Sequence, residues 1–148
     1  MTATATTTSF AGIAAEPTRP GVPGMTQGAV RNWLRLEGLA AFVAGLALYG
    51  VSGGNWLLVI PLLLLPDLSA AGYLVSPRFG TFTYNAVHNW VPGLAVLGLG
   101  FALGAPAVQL VGAILIAHVG MDRAAGYGLK LPTAFGDTHL GHMGRAKA

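Results

Sequence analysis

Between Trp56 and Val75 the chain reads WLLVIPLLLLPDLSAAGYLV, an apolar run broken by one charge, Asp67. About 20 apolar residues cross a hydrocarbon core as a helix. Inside lipid only helices and closed barrels can satisfy their own backbone. This run therefore restricts the fold more than any other stretch, and three further runs resemble it. The expected spans are about 31–49, 56–75, 82–103 and 106–124. Pro61 and Pro66 predict kinks in the second, because each removes a backbone donor. The fold class expected is all-α: a polytopic membrane protein with four transmembrane helices.

Composition agrees with this reading. Charged residues make up 9% of the 148, against roughly 25% in soluble domains. Mean hydropathy is +0.62. So few charges could not cover a small soluble protein, whereas a lipid bilayer as partner tolerates them. A net charge of +3 could suggest nucleic acid, but no basic patch or aromatic platform accompanies it, so none is expected as a partner. The absence of cysteine excludes disulfides and thiolate chemistry.

Three regions follow. Residues 1–28, with Pro17, Pro20 and Pro23, read as a disordered arm. Residues 29–126 form the four-helix transmembrane domain, and 127–148 a Gly-rich cytoplasmic tail. All eight Lys and Arg lie in or beside the arm, the second connection around Arg78, and the tail; the other two turns have none. The positive-inside rule then puts both termini in the cytoplasm. The expected location is a membrane crossed several times. Gly38, Ala41 and Gly45 make a small-residue face that invites close helix packing, allows a homo-oligomer, and turns Glu37 into the bundle.

Topology gives the polar residues a depth. At about 1.5 Å per residue, Glu37, Asp67, His88 and His118 each sit roughly 8–12 Å inside the cytoplasmic boundary, with Asp122 a turn below His118. His118 and Asp122 are four apart and share a helix face. Ionisable groups within a span are costly and are functional suspects by default. Imidazole and carboxylate together suit one divalent metal ion, Zn, Mn or Fe. Asp67, His88, His118 and Asp122 are the candidate ligands. Glu37 is the candidate general base or ligand-orienting group, and Arg123 the candidate anion-positioning residue. Such a set suits hydrolysis of a lipid-derived or phosphate-bearing substrate. Proton-coupled transport or sensing, and a noncatalytic scaffold assembling through the Gly38–Gly45 face, are the alternatives. The blander account has His118–Asp122 as a local pair, Arg123 snorkelling to headgroups, and Tyr84, Asn85 and Asn89 as interhelical glue. In the tail, His139 in FGDTHLG could fold back over the cytoplasmic mouth.

The segments Leu36-Glu37-Gly38, Leu65-Pro66-Asp67-Leu68-Ser69, Tyr84-Asn85 through His88, Ala117-His118 through Asp122-Arg123, Gly126-Tyr127-Gly128-Leu129-Lys130 and Thr138-His139-Leu140-Gly141 resemble an uncharacterised family of small bacterial membrane proteins, domain of unknown function 4260. The resemblance runs from about Arg31 to Gly144 and implies a four-helix inner-membrane protein without an assigned activity. The Leu-Pro-Asp and His-x3-Asp segments are also similar, more loosely, to predicted membrane-bound metal-dependent hydrolases. That similarity implies roles for Asp67, His118 and Asp122. Those proteins usually carry a second acid two places after the first Asp, where this chain has Ser69.

Overall fold

The computed structural model describes residues 23–143. The expected disordered arm therefore lies mostly outside the described residues, as does the end of the tail from 144 onward. Helix α1 is Gly28–Val51. A short 3-10 turn, Trp56–Leu58, leads into α2, Val59–Leu64, which tightens into a long 3-10 helix, Leu65–Leu74. Then come α3, Pro77–Val87; α4, Trp90–Ala102; and α5, Pro106–Ala125. Two short strands, β1 (Asp137–Thr138) and β2 (Gly141–His142), close an antiparallel hairpin in the tail.

Three stretches are long and apolar enough to cross a membrane: Gly28–Val51, Trp56–Leu74 and Pro106–Ala125. Large apolar side chains, among them Trp33, Val43, Ile60, Leu68, Phe82, Leu94 and Phe101, point outward. Water would penalise so much exposed apolar surface, whereas lipid accommodates it.

The third expected span, 82–103, is not one helix. It breaks at His88–Asn89 into α3 and α4. Asn89 is the reason: its amide donates to the carbonyls of Asn85 (2.8 Å) and Ala86 (3.0 Å), while its Oδ1 accepts the Val91 N–H (2.8 Å). One side chain thus caps the helix on each side of the break. Pro92 has no N–H to return to residue 88, so the helical hydrogen-bond ladder has a gap there as well. The second span changes from α-helix to 3-10 helix at Leu65-Pro66, beside the second of its two prolines.

The buried core gathers on α5, where Gly112, Ala113, Ile114, Ile116, Ala117, His118, Val119 and Gly120 are all buried. Gly38 and Gly45 of α1 face it directly; a methyl group on Gly45 would meet Ala117 N at 2.7 Å. Gly93, Gly100 and Gly112 bring α4 equally close. The small-residue face proposed for oligomer contacts is therefore occupied by α5 of the same chain. Glu37, expected to turn inward, is exposed. Gly38 next to it takes the contact instead, being small enough to admit the α5 backbone at Gly120 and Ala124.

Candidate metal centre

The site begins at Pro66. Leu65 N–H bonds to Leu62 O, setting a three-residue register at the end of α2. In that register the next donor, to Leu63 O, would be residue 66, and proline has none. His118 of α5 fills the gap: its Nδ1 lies 2.6 Å from Leu63 O. A carbonyl can only accept, so Nδ1 carries a proton, and in the neutral ring Nε2 points away with a free lone pair.

His88 is oriented in the same way from the other side. It ends α3, and its Nδ1 donates to Tyr84 O at 2.9 Å. Tyr84 stacks flat on the ring, with centroids 3.6 Å apart. The break at Asn89 holds His88 at a helix end, aimed across at α5. The two Nε2 atoms meet at 2.9 Å. Two lone pairs at that distance repel unless a cation or a shared proton lies between them.

Two carboxylates complete the group. Asp67 Oδ1 lies 3.3 Å from His88 Nε2 and 3.7 Å from His118 Nε2. Asp122 Oδ2 lies 3.8 and 3.7 Å from the same two atoms. All four ligand atoms fall within 4.8 Å of one another. A tetrahedral ion with bonds of about 2.0–2.2 Å separates its ligand atoms by roughly 3.3–3.6 Å. The group could thus hold a metal ion. Tyr84 OH donates to Asp122 Oδ2 at 3.2 Å, so one residue steadies both a histidine and a carboxylate.

The 3-10 helix, the α3–α4 break and α5 supply the four. Helix α1 supplies none. Glu37 makes no hydrogen bond or ion pair among the described residues and is not brought to the group. Arg123 lies a residue beyond Asp122 but reaches elsewhere, over the Trp90 ring at 5.1 Å and to His139 Nε2 at 2.8 Å.

The tail does fold back, with His139 against Arg123 of α5, but the sequence did not show which residues dock it. Asn85 and Lys130 pair through Lys130 N–H to Oδ1 (2.7 Å) and Asn85 Nδ2 to Lys130 O (3.0 Å). The Lys130 ammonium is buried, donates to Phe135 O at 2.9 Å and sits 5.1 Å above the Tyr84 ring. Burial pushes its pKa down, since desolvation disfavours the charged form. Lys130 and the Tyr84 stripe were visible in the sequence, but nothing in their spacing linked residue 85 to residue 130. His139 accepts the Leu129 N–H at Nδ1 (2.8 Å) while Arg123 faces Nε2. Burial, and then the Arg123 charge, hold its pKa below the usual histidine value. Asp137 is held low by hydrogen bonds from Thr133 (2.7 Å) and His142 (2.8 Å). The few described residues of the arm join in, with Thr26 N–H and Oγ1 both donating to His139 O.

Residues 31–143 match the model of a protein family described as Domain of unknown function (DUF4260). The chain belongs to this family. The DUF4260 match covers all four candidate ligands, the break at Asn89 and the docked part of the tail. No curated protein and no solved structure matches the chain, so no match ties this DUF4260 protein to the metal-dependent hydrolases.

Proposed function

We propose that this protein is a membrane-embedded metalloprotein in which Asp67, His88, His118 and Asp122 hold one divalent cation. One observation carries the reading: two histidines, each with Nδ1–H committed to a backbone carbonyl, direct bare Nε2 atoms at each other and at two carboxylates. Backbone carbonyls that fix the tautomer are how proteins orient metal-binding histidines. Two imidazole nitrogens and two carboxylate oxygens are donors that suit zinc, manganese or iron. When bound, such an ion would supply Lewis acidity toward a carbonyl or phosphoryl oxygen and an activated water, with half-exposed Asp67 as the ligand that yields its position to them.

The reaction best suited to it is hydrolysis of a lipid-derived or phosphate-bearing substrate. Tyr84 keeps Asp122 in place, and the docked tail limits water on the side of Tyr84. Arg123 follows Asp122 in the chain, but with its guanidinium on His139 and over Trp90 it is not assigned the substrate's anionic group. Glu37, exposed on α1, is not assigned the general base. The four polar groups and the basic loops fit a bacterial inner-membrane protein with both termini in the cytoplasm.

Metal analysis of protein purified without added metal tests this. About one equivalent is expected in the wild type, falling to background in His118→Ala and Asp122→Ala with helical content kept. Equal, near-zero content in all three would remove the proposal. Proton-coupled transport or sensing rests on the same 2.9 Å contact, in which one proton shared by the two rings replaces the ion. It requires a metal-free wild type and a proton flux in liposomes that His88→Ala abolishes.

A further inference from the structure

A second concavity lies beside the candidate metal centre. It is a groove of about 460 Å³ between the Trp56–Leu65 stretch and α5, walled by Leu58, Leu62, Leu65, Val111, Ile114 and Leu115. At one end it reaches Tyr49 and Asn55, whose OH and carbonyl bond each other at 2.9 Å and so ask nothing of an occupant. At the other end it reaches Leu65 and Pro66, immediately before Asp67. From Asn55 to Leu65 is roughly 15 Å along a helix.

The metal-binding group is open at Asp67, the residue that follows Pro66 of the groove. The side chains of His118, His88 and Asp122 are 0%, 2% and 13% exposed, whereas that of Asp67 is 49% exposed. Any substrate must therefore approach past Asp67, where the groove ends. Both walls belong to stretches able to cross a membrane, so the medium in contact with the groove is hydrocarbon, not water. An apolar groove whose polar pair is already satisfied, and whose lining stops one residue before the exposed ligand of a polar cluster, suits an acyl chain.

We infer that the groove holds the acyl chain of a lipid whose polar group is presented at Asp67. The inference rests on the metal reading and names the substrate class for it. Hydrocarbon gains little by moving from lipid tails to an apolar wall. The groove therefore orients the chain and selects for it, rather than drawing it from the membrane.

The test uses full-length protein in nanodiscs, loaded with Zn²⁺, and two chelating probes. Acetohydroxamic acid has the metal-binding head alone, and dodecanohydroxamic acid adds a chain. Val111→Trp and Leu58→Trp each fill the groove from a different wall. Val43→Trp, on the outward face of α1, is the control for an added indole. Both groove variants are expected to weaken the long probe at least tenfold relative to wild type, with acetohydroxamate binding and zinc content unchanged. Val43→Trp is expected to change neither. Absence of bound zinc in the wild type would sink the metal reading itself, and bound zinc that takes neither probe would overturn a substrate presented at Asp67. Normal acetohydroxamate binding, with the long probe indifferent to both groove variants, would overturn the acyl-chain assignment alone. Should the groove variants instead alter oligomeric state and leave both probes untouched, the groove belongs to a second copy of the chain and the inference is wrong.

Discussion

Tyr84 does more at the candidate centre than any residue outside the four ligands. Its carbonyl fixes the His88 tautomer, its ring lies flat on that imidazole, and its hydroxyl donates to Asp122. Tyr84→Phe removes only the third of these. Partners of this kind change metal affinity by about 10–100-fold. A loss in that range is expected for Tyr84→Phe in chelator-competition titrations, with thermal stability of the metal-free protein nearly unchanged. Unaltered affinity would reduce the Tyr84–Asp122 bond to packing. Tyr84 is four residues before His88, so its presence on that helix face was readable in the sequence. Its reach to Asp122 was not, because that contact spans elements whose relative rotation no local pattern encodes.

Helix α5 is the element on which the others are assembled. Its glycines allow neighbours to approach at backbone distance: a Cβ on Gly120 would overlap Phe42 N, and one on Gly112 would overlap Leu97 N. Gly120→Val is therefore expected to force α1 away and destabilise the fold by about 1–3 kcal/mol, the usual cost of overpacking. The same change at Gly98, where no atom lies within 4 Å of an added Cβ, should cost little. Equal thermal shifts in the two variants would contradict this account of α5. The α1 and α5 spans could be placed from hydropathy. The α3–α4 break could not, because apolar periodicity continues through it and only the Asn89-x-x-Pro92 pair marks it. The error mattered for function: the break leaves His88 at a helix end, free to aim at His118.

At the scale of the molecule, the tail from Gly126 to Met143 ties both ends of the described chain to the side of the bundle that carries Tyr84. His139 lies at its centre, among Arg123 of α5, Leu129 of the tail and Thr26 of the arm. Because its pKa is lowered in the folded chain, docking favours neutral imidazole. That contribution is complete above the ordinary histidine value of about 6.5 and fades as pH falls through the lowered one. Asp137, also lowered, adds stability above about pH 4 that disappears only under stronger acid. Hydrogen-exchange protection at the amides of Leu129, Leu131 and His139 is expected to be constant from pH 8 to 7 and to drop below about 6. Protection that rose on acidification would show that the charged ring is the docked form.

The sequence by itself determined the solvent, the helical class and the inventory of ionisable groups, since hydropathy and backbone self-satisfaction in lipid depend only on residue type and order. The same regularity led to the expectation that Glu37 and the candidate ligands lie at a similar depth, because helical rise converts residue number into distance. Only the tertiary structure decided which of those groups meet. It joined Asp67, His88, His118 and Asp122, left Glu37 outside, and docked Lys130 over Tyr84. Depth along a helix follows from counting residues. Rotation about its axis, and the point at which a helix breaks, depend on close packing and on single hydrogen bonds between distant residues. Here these are the His118–Leu63 bond, the Asn89 caps and the glycine contacts of α5.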